Sequence, residues 1–154
     1  MRRLALLALL LGLLAPAPAA VRAQPESYAG IREMLDRRAA AVLAGDEEAF
    51  MATVAEIDPR FVERQHLMIR GFRNLGVSEY RLQISDRFWP ELTTPREVAK
   101  YGPRARPTVL HVEERYRIEG FDPQLALDDL YLTFVRTGEG WKVASDVDLE
   151  DVGL

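Results

Sequence analysis

Three observations predict an α+β fold for this chain, with three N-terminal helices packed on a curved, mainly antiparallel four-stranded sheet. Apolar residues recur at three- and four-residue steps up to Gly76 and at two-residue steps after it, which is the change from helical to strand period. The helical half is interrupted by two joints made of capping residues, Gly45-Asp46 and Asp58-Pro59. The second half is a set of alternating runs separated by turn residues. Helices first and strands after place the helices on one face of a sheet.

The first helix starts near Ile31. Ile31, Leu35, Val42 and Leu43, with Met34 and alanines beside them, supply its apolar positions, and Gly45 ends it. Asp46 is turn residue and N-cap for a second helix, with Glu47 and Glu48 where the helix dipole favours acids and Phe50, Val54 and Ile57 as its buried face. The third helix, Asp58 to Leu75, is the best signalled. Asp58 caps it, Pro59 suits its first position, Ile57 and Val62 are spaced for a hydrophobic staple, and Gly76 stops it. Phe61, Gln65, Met68, Phe72 and Leu75 form its stripe, widened by Val62 and Ile69, while Glu63, Arg64, Arg70 and Arg73 lie off it.

Tyr80, Leu82 and Ile84 alternate with Arg81, Gln83 and Ser85, the mark of a strand with one wet face. Arg87 to Pro107 is a long connection with four prolines and one helical turn at Pro95 to Tyr101; its length marks it as a rim or flap. In the second strand Leu110, Val112, Glu114, Tyr116 and Ile118 share one face, and Val109, His111, Glu113, Arg115 and Arg117 the other. Gly120 to Pro123 turns the chain. Leu130, Leu132 and Phe134 form a third strand, Thr137-Gly138-Glu139-Gly140 a hairpin loop, and Trp141, Val143 and Val147 a fourth strand.

Met1 to Ala23 reads as a secretory leader outside the fold. Arg2 and Arg3 open it, Leu4 to Leu14 is its apolar stretch, and cleavage is expected after Ala23, or earlier at Ala19 or Ala20. That stretch is shorter than the roughly 20 residues of a spanning helix, so no stable membrane insertion is expected after cleavage. Losing 23 of 154 residues removes three of 20 basic groups and none of 24 acidic ones, taking the net charge from -4 to -7. The remaining 24–154 is sized for one domain. Its acidity argues against a nucleic-acid partner. There is no cysteine, hence no disulfide, lipid anchor or thiolate metal site. The expected location is the extracellular space or the exterior of the cell envelope.

The segments LAGDEEAF and LYLTFVRTGEGWKVASDVD, with the Asp-Pro helix between them, resemble the nuclear transport factor two-like superfamily, the cystatin-like α+β cone. More narrowly, DPRFVERQHLMIRGFRNLGVSEYRLQ is similar to a domain that precedes gluzincin-type peptidase modules in larger secreted bacterial proteins. The narrower resemblance implies an accessory domain, either the N-terminal part of a longer protein or a relative without the second module. The superfamily resemblance implies a cone with an apolar pocket, used by some members for proton transfer, dehydration or hydrolysis and by many for binding or dimerisation. The fold alone does not supply the chemistry. The expected lining is Phe61, Met68, Phe72, Leu82, Leu110, Val112, Tyr116, Leu132, Phe134 and Trp141. Expected partners are a small apolar ligand, a protein module, or a twin subunit through the sheet; no cofactor is implied.

Four residues are candidates for chemistry. Glu114 shares the inward alternation, where burial would raise its pKa toward that of a general base; a bulge at Glu113-Glu114, or pairing with Arg115, Arg136 or another arginine, would make it structural. Tyr80 and Tyr116 are its hydroxyl companions. His66 borders the stripe of the third helix, where capping a neighbouring loop is the commoner role. His111 lies on the opposite strand face and is expected in solvent or at an interface. Asp146, Asp148, Glu150 and Asp151 read as a solvated acidic edge. Two histidines without an H-E-x-x-H pattern point to no metal. The favoured reading is a non-catalytic binding or accessory domain; the alternative is an isomerase, dehydratase or hydrolase.

Overall fold

Gly45 and Gly76, both in the left-handed region, end the two long helices. The computed structural model describes residues 28–87, 92–121 and 126–147. The leader, Pro90, the turn at Pro123 and the acidic residues Asp148, Glu150 and Asp151 lie outside those residues. In chain order the elements are α1 (Ala29–Ala44), α2 (Glu47–Met51), α3 (Pro59–Leu75), β1 (Val77–Ile84), α4 (Pro95–Tyr101), a 3-10 turn (Pro103–Ala105), β2 (Thr108–Ile118), β3 (Ala126–Thr137) and β4 (Gly140–Asp146). The fold is α+β: helices followed by a curved, half-barrel antiparallel sheet in the order β1-β2-β3-β4. Among the described residues, no helix is long and apolar enough to cross a membrane.

The caps act as the residue types dictate. Asp46 accepts from Ala49 N at 2.9 Å, and Asp58 from Arg60 N at 3.0 Å and Phe61 N at 3.4 Å. The core lies between α1, α3 and the concave sheet, built from Ile31, Leu35, Phe50, Phe61, Ile69, Leu110, Val112 and Phe134.

Several expectations are corrected. The second helix stops at Met51, because Val54 is drawn into a parallel bridge with Val143. Ala55 N donates to Val143 O and Val143 N to Thr53 O, both within 2.9 Å. Ile57 is therefore not buried under a helix; it is 51% exposed, too open to staple Val62. Leu75, at 49%, lies beyond the reach of the sheet, and the buried stripe of α3 is Phe61, Gln65 and Ile69.

In β4 a bulge lets Phe134 pair with Val143 and Thr133 with Ser145, so Ala144 is an extra residue. Alternation is reset at that point. Asp146, not Ser145, follows Val143 onto the concave face, opposite Leu132, and β4 closes before Val147.

The described part of the long connection is tied down rather than loose, and Arg104 and Arg106 in it border a concavity. Leu92 N donates to Val109 O and Val109 N to Thr93 Oγ1, each at 2.9 Å. Thr94 and Glu97 form a capping box that starts α4. Tyr101 and Ala105 then pack on Ala55, Val135 and Ala144, an apolar patch on the convex side. Part of the face expected to be wet is thus a second, smaller packed layer.

Candidate functional site

Two polar side chains of the helical layer point into the core. Arg38 stands in the apolar stripe of α1, among Met34, Leu35, Ala41 and Val42, and is 3% exposed. Its guanidinium lies 3.8 Å from the centre of the Phe50 ring, donates from Nη1 to Thr53 Oγ1 at 2.9 Å, and donates from Nη2 to Gln65 Oε1 on α3. Thr53 in turn donates to Phe50 O at 2.6 Å. A buried charge needs such partners.

The sheet supplies the opposing wall. No bulge interrupts β2 at Glu113-Glu114; Leu82 pairs with Glu114 and Tyr80 with Tyr116. Glu114 therefore keeps its inward alternation and is 7% exposed, with the Tyr80 hydroxyl donating to its Oε1. Arg115 is not its partner; that arginine turns outward to Glu113, 2.7 Å away.

Arg38, Gln65, Tyr80 and Glu114 line one cavity of about 100 Å³, with Phe61, Met68, Leu82, Leu130, Leu132 and Val143 as its apolar part. Arg38 and Glu114 face each other through this space with no hydrogen bond or ion pair between them. Asp146 stands at its edge, its side chain 57% exposed and 2.6 Å from Arg64 of α3, so it is a solvated mouth residue that is paired rather than free.

Burial pushes the Glu114 carboxyl up, reinforced by Asp128 across the ladder and opposed by Tyr80 and Arg38. The Tyr80 phenol is raised well above its usual value, first by burial and then by Glu114. Burial pulls Arg38 down to about 10, opposed by Tyr80 and Glu114, which still leaves a cation at neutral pH. The site thus offers a fixed cation and a reluctant carboxylate on facing walls.

Of the expected lining, Phe61, Met68, Leu82 and Leu132 border this cavity. Leu110, Val112 and Phe134 are fully buried in solid core. Phe72 and Tyr116 stand beside it: the Phe72 ring meets Tyr80 edge-on at 5.2 Å and Tyr116 at 5.8 Å. Burial, then Asp128 and Glu114, raises the Tyr116 phenol. Trp141 is elsewhere, against Gly30 of α1 at the far end of the sheet.

His66 does not reach the cavity. Its Nδ1 is 2.7 Å from Glu47 of α2, which also accepts from Arg70 at 2.8 Å. Those two partners, Arg70 first, hold Glu47 down to about 2. His111 is not in solvent: it is 1% exposed, stacked on Tyr131 at 4.9 Å, with Nε2 2.8 Å from Asp129 and Nδ1 3.2 Å from Arg87 O. Beside it Glu113 accepts from Ser85 at 3.0 Å and from Arg115; Arg115 above all, with Ser85 and Arg87, lowers its carboxyl against the effect of burial. Among the described residues no group of three or more acids or histidines is placed to hold a metal.

The residues missed from the sequence are Arg38, Thr53 and Gln65. A signal existed for two of them, since a cation and an amide sit at positions where the helical period calls for apolar side chains. Comparison with protein-family models, curated proteins and solved structures finds no match.

Proposed function

We propose that this chain is a secreted, non-catalytic binding domain of the nuclear transport factor two-like type, whose cone takes one small polar guest between Arg38 and Glu114. The observation that carries the reading is the cavity of about 100 Å³ with a cation and a carboxyl on opposite walls. Each charge is positioned by neutral partners, Arg38 by Thr53 and Gln65, Glu114 by Tyr80. A water takes about 30 Å³ of liquid, so the guest has only a few heavy atoms, and drug-sized ligands, whose sites start near 300 Å³, are excluded. A molecule with an acceptor at one end and a donor at the other, such as a small primary amide, satisfies both walls.

Titration of the 15N-labelled chain with acetamide, acetate and 2-propanol tests this. Acetamide is expected to shift the backbone amides of Arg38, Gln65, Tyr80 and Glu114 in a saturable way, and Arg38→Met and Glu114→Gln to abolish the response. Absence of any response around the cavity would sink the reading.

One observation favours a second reading, a proton-transfer enzyme with Glu114 as base. Its carboxyl is raised by burial and sits under the Tyr80 hydroxyl, as a general base beside an oxyanion donor would. Deuterium uptake from D2O into the methyl groups of acetone, faster with the chain than with its Glu114→Gln variant, would support it. Equal rates would leave the binding reading alone.

A further inference from the structure

Six residues along β2 from Glu114, roughly 20 Å at about 3.3 Å per residue, Thr108 borders a separate concavity of about 580 Å³. Tyr28, Arg104, Arg106, Arg136 and Trp141 complete its lining. The lining holds three guanidinium groups, two aromatic rings and no carboxylate, on a chain whose formal net charge is -4.

The three cations lack the carboxylate partner that seven other arginines have. Arg37, Arg64, Arg70, Arg81, Arg87, Arg115 and Arg117 each face a carboxylate. Among the described residues Arg104, Arg106 and Arg136 face none; Arg136 instead lies over the Trp141 ring at 5.8 Å. Three like charges gathered without a counter-charge repel one another, and an anion between them removes that repulsion.

Two backbone features hold the arrangement. Arg106 adopts φ 46° and ψ 56°, the one positive φ outside glycine among the described residues. Glycine takes that conformation freely and a residue with a β-carbon does not. Thr108 Oγ1 donates to Arg106 O at 3.2 Å and pins it there. At this strained position the chain presents a guanidinium toward the concavity that Arg106 lines. On the other wall, a β-carbon on Gly30 would fall 2.8 Å from Trp141 Cδ1, so the missing side chain is what lets the indole lie against α1.

We propose that this concavity binds a phosphate monoester of a planar organic group. The arginines take the phosphate oxygens through paired N–H donors, and Tyr28 and Trp141 flank the planar part. The volume supports an organic ligand, because sites for small molecules run from about 300 to 1,000 Å³ and inorganic phosphate would leave most of this one unfilled. The site does not depend on the reading of the cone.

Calorimetric titration of the whole chain at low salt with adenosine 5′-monophosphate, inorganic phosphate and adenosine tests the proposal, with Trp141 fluorescence as a second readout. The monophosphate is expected to bind at one site and to weaken with added salt. Phosphate is expected to bind more weakly and adenosine not measurably. Arg106→Gly fits the backbone while removing the guanidinium, so affinity should fall about tenfold or more while the melting temperature holds or rises. Arg104→Ala, at an exposed position, should weaken binding similarly, and Arg37→Ala should leave it unchanged. No saturable binding at millimolar monophosphate, or affinity undiminished in both Arg106→Gly and Arg104→Ala, would overturn the site. Adenosine binding as tightly as its monophosphate would overturn the role of the arginines, and phosphate binding as tightly would overturn the organic ligand.

Discussion

Tyr80 and Glu114 meet diagonally across the β1–β2 ladder, the phenol hydroxyl donating to the carboxylate from the position opposite Tyr116. Both groups are buried; Glu114 makes the Tyr80 phenol harder to ionise, while the hydrogen bond from Tyr80 favours the ionised carboxylate against the larger opposing effect of burial.

Burial of Glu114 outweighs that hydrogen bond and fixes a sign for pH dependence. The folded state raises the Glu114 carboxyl above its ordinary value, chiefly by burial, so folding favours the protonated form. Its contribution is fully present below the unfolded value and is lost as pH rises through the folded one. Glu114→Gln, which mimics the neutral acid, should gain stability relative to the native chain as pH goes from 4 to 7.5. Urea midpoints at several pH values measure this, and parallel profiles would refute it.

Glu47 carries the opposite sign. Held down to about 2 by Arg70 and His66, it contributes above the unfolded carboxylate value of 4.5, and the contribution disappears as pH falls toward 2. Glu47→Gln should flatten that acid limb and leave ligand binding in the cone untouched. Thermal melts between pH 2 and 6 read the first expectation, and the acetamide titration reads the second.

Arg38 should be the costliest polar residue to remove. Arg38→Met leaves Gln65 and Glu114 facing an apolar stem and loses the contact over Phe50; breaking a buried charge arrangement costs about 3 to 5 kcal/mol. Combining it with Glu114→Gln should cost less than the sum of the two single changes, because the carboxyl left behind is then neutral. Additive urea-denaturation values would show that the two groups do not sense each other.

The stripe of α3 is divided in energy. Ile69 is 1% exposed and Phe72 only half-buried against two tyrosine rings. Ile69→Ala should cost about 2 to 5 kcal/mol and Phe72→Ala about half of what a fully buried phenylalanine costs, roughly 1.5 to 2.5 kcal/mol. Calorimetry of the two variants decides the order; a larger loss at Phe72 would contradict the placement.

Gly30→Ala should invert the usual rule for helices. Alanine gains about 1 kcal/mol over glycine inside a helix, but here its β-carbon would fall 2.8 Å from the indole of Trp141, and forced overpacking costs about 1 to 3 kcal/mol. A lower melting temperature with a shifted tryptophan emission is the expected result; a plain gain in stability would exclude the close contact.

The legibility of this chain follows the range of the forces involved. Caps at Asp46 and Asp58, stops at Gly45 and Gly76 and the alternation of β1 and β2 are local, so the sequence displays them. Non-local events were hidden. Val54 left its helix because Val143, far along the chain, offered backbone partners; Asp146 came to the mouth of the concave face because one bulge reset the alternation; His111 was covered because Tyr131 stacks on it and the strand connection folds back over its face. At the cavity, Glu114 and Tyr80 were readable from strand parity. Arg38 was not singled out, although its place in an apolar stripe marked it.

The bridge at Val54 also bears on how copies of this chain can meet. An open outer strand invites another chain to add to the sheet, the step that begins both strand-swapped pairs and fibrils. Thr53, Val54 and Ala55 already occupy the free hydrogen-bonding side of β4 at Val143. The protein covers that border at Val143 with its own backbone, so a twin subunit pairing at that position must first displace residues 53–55.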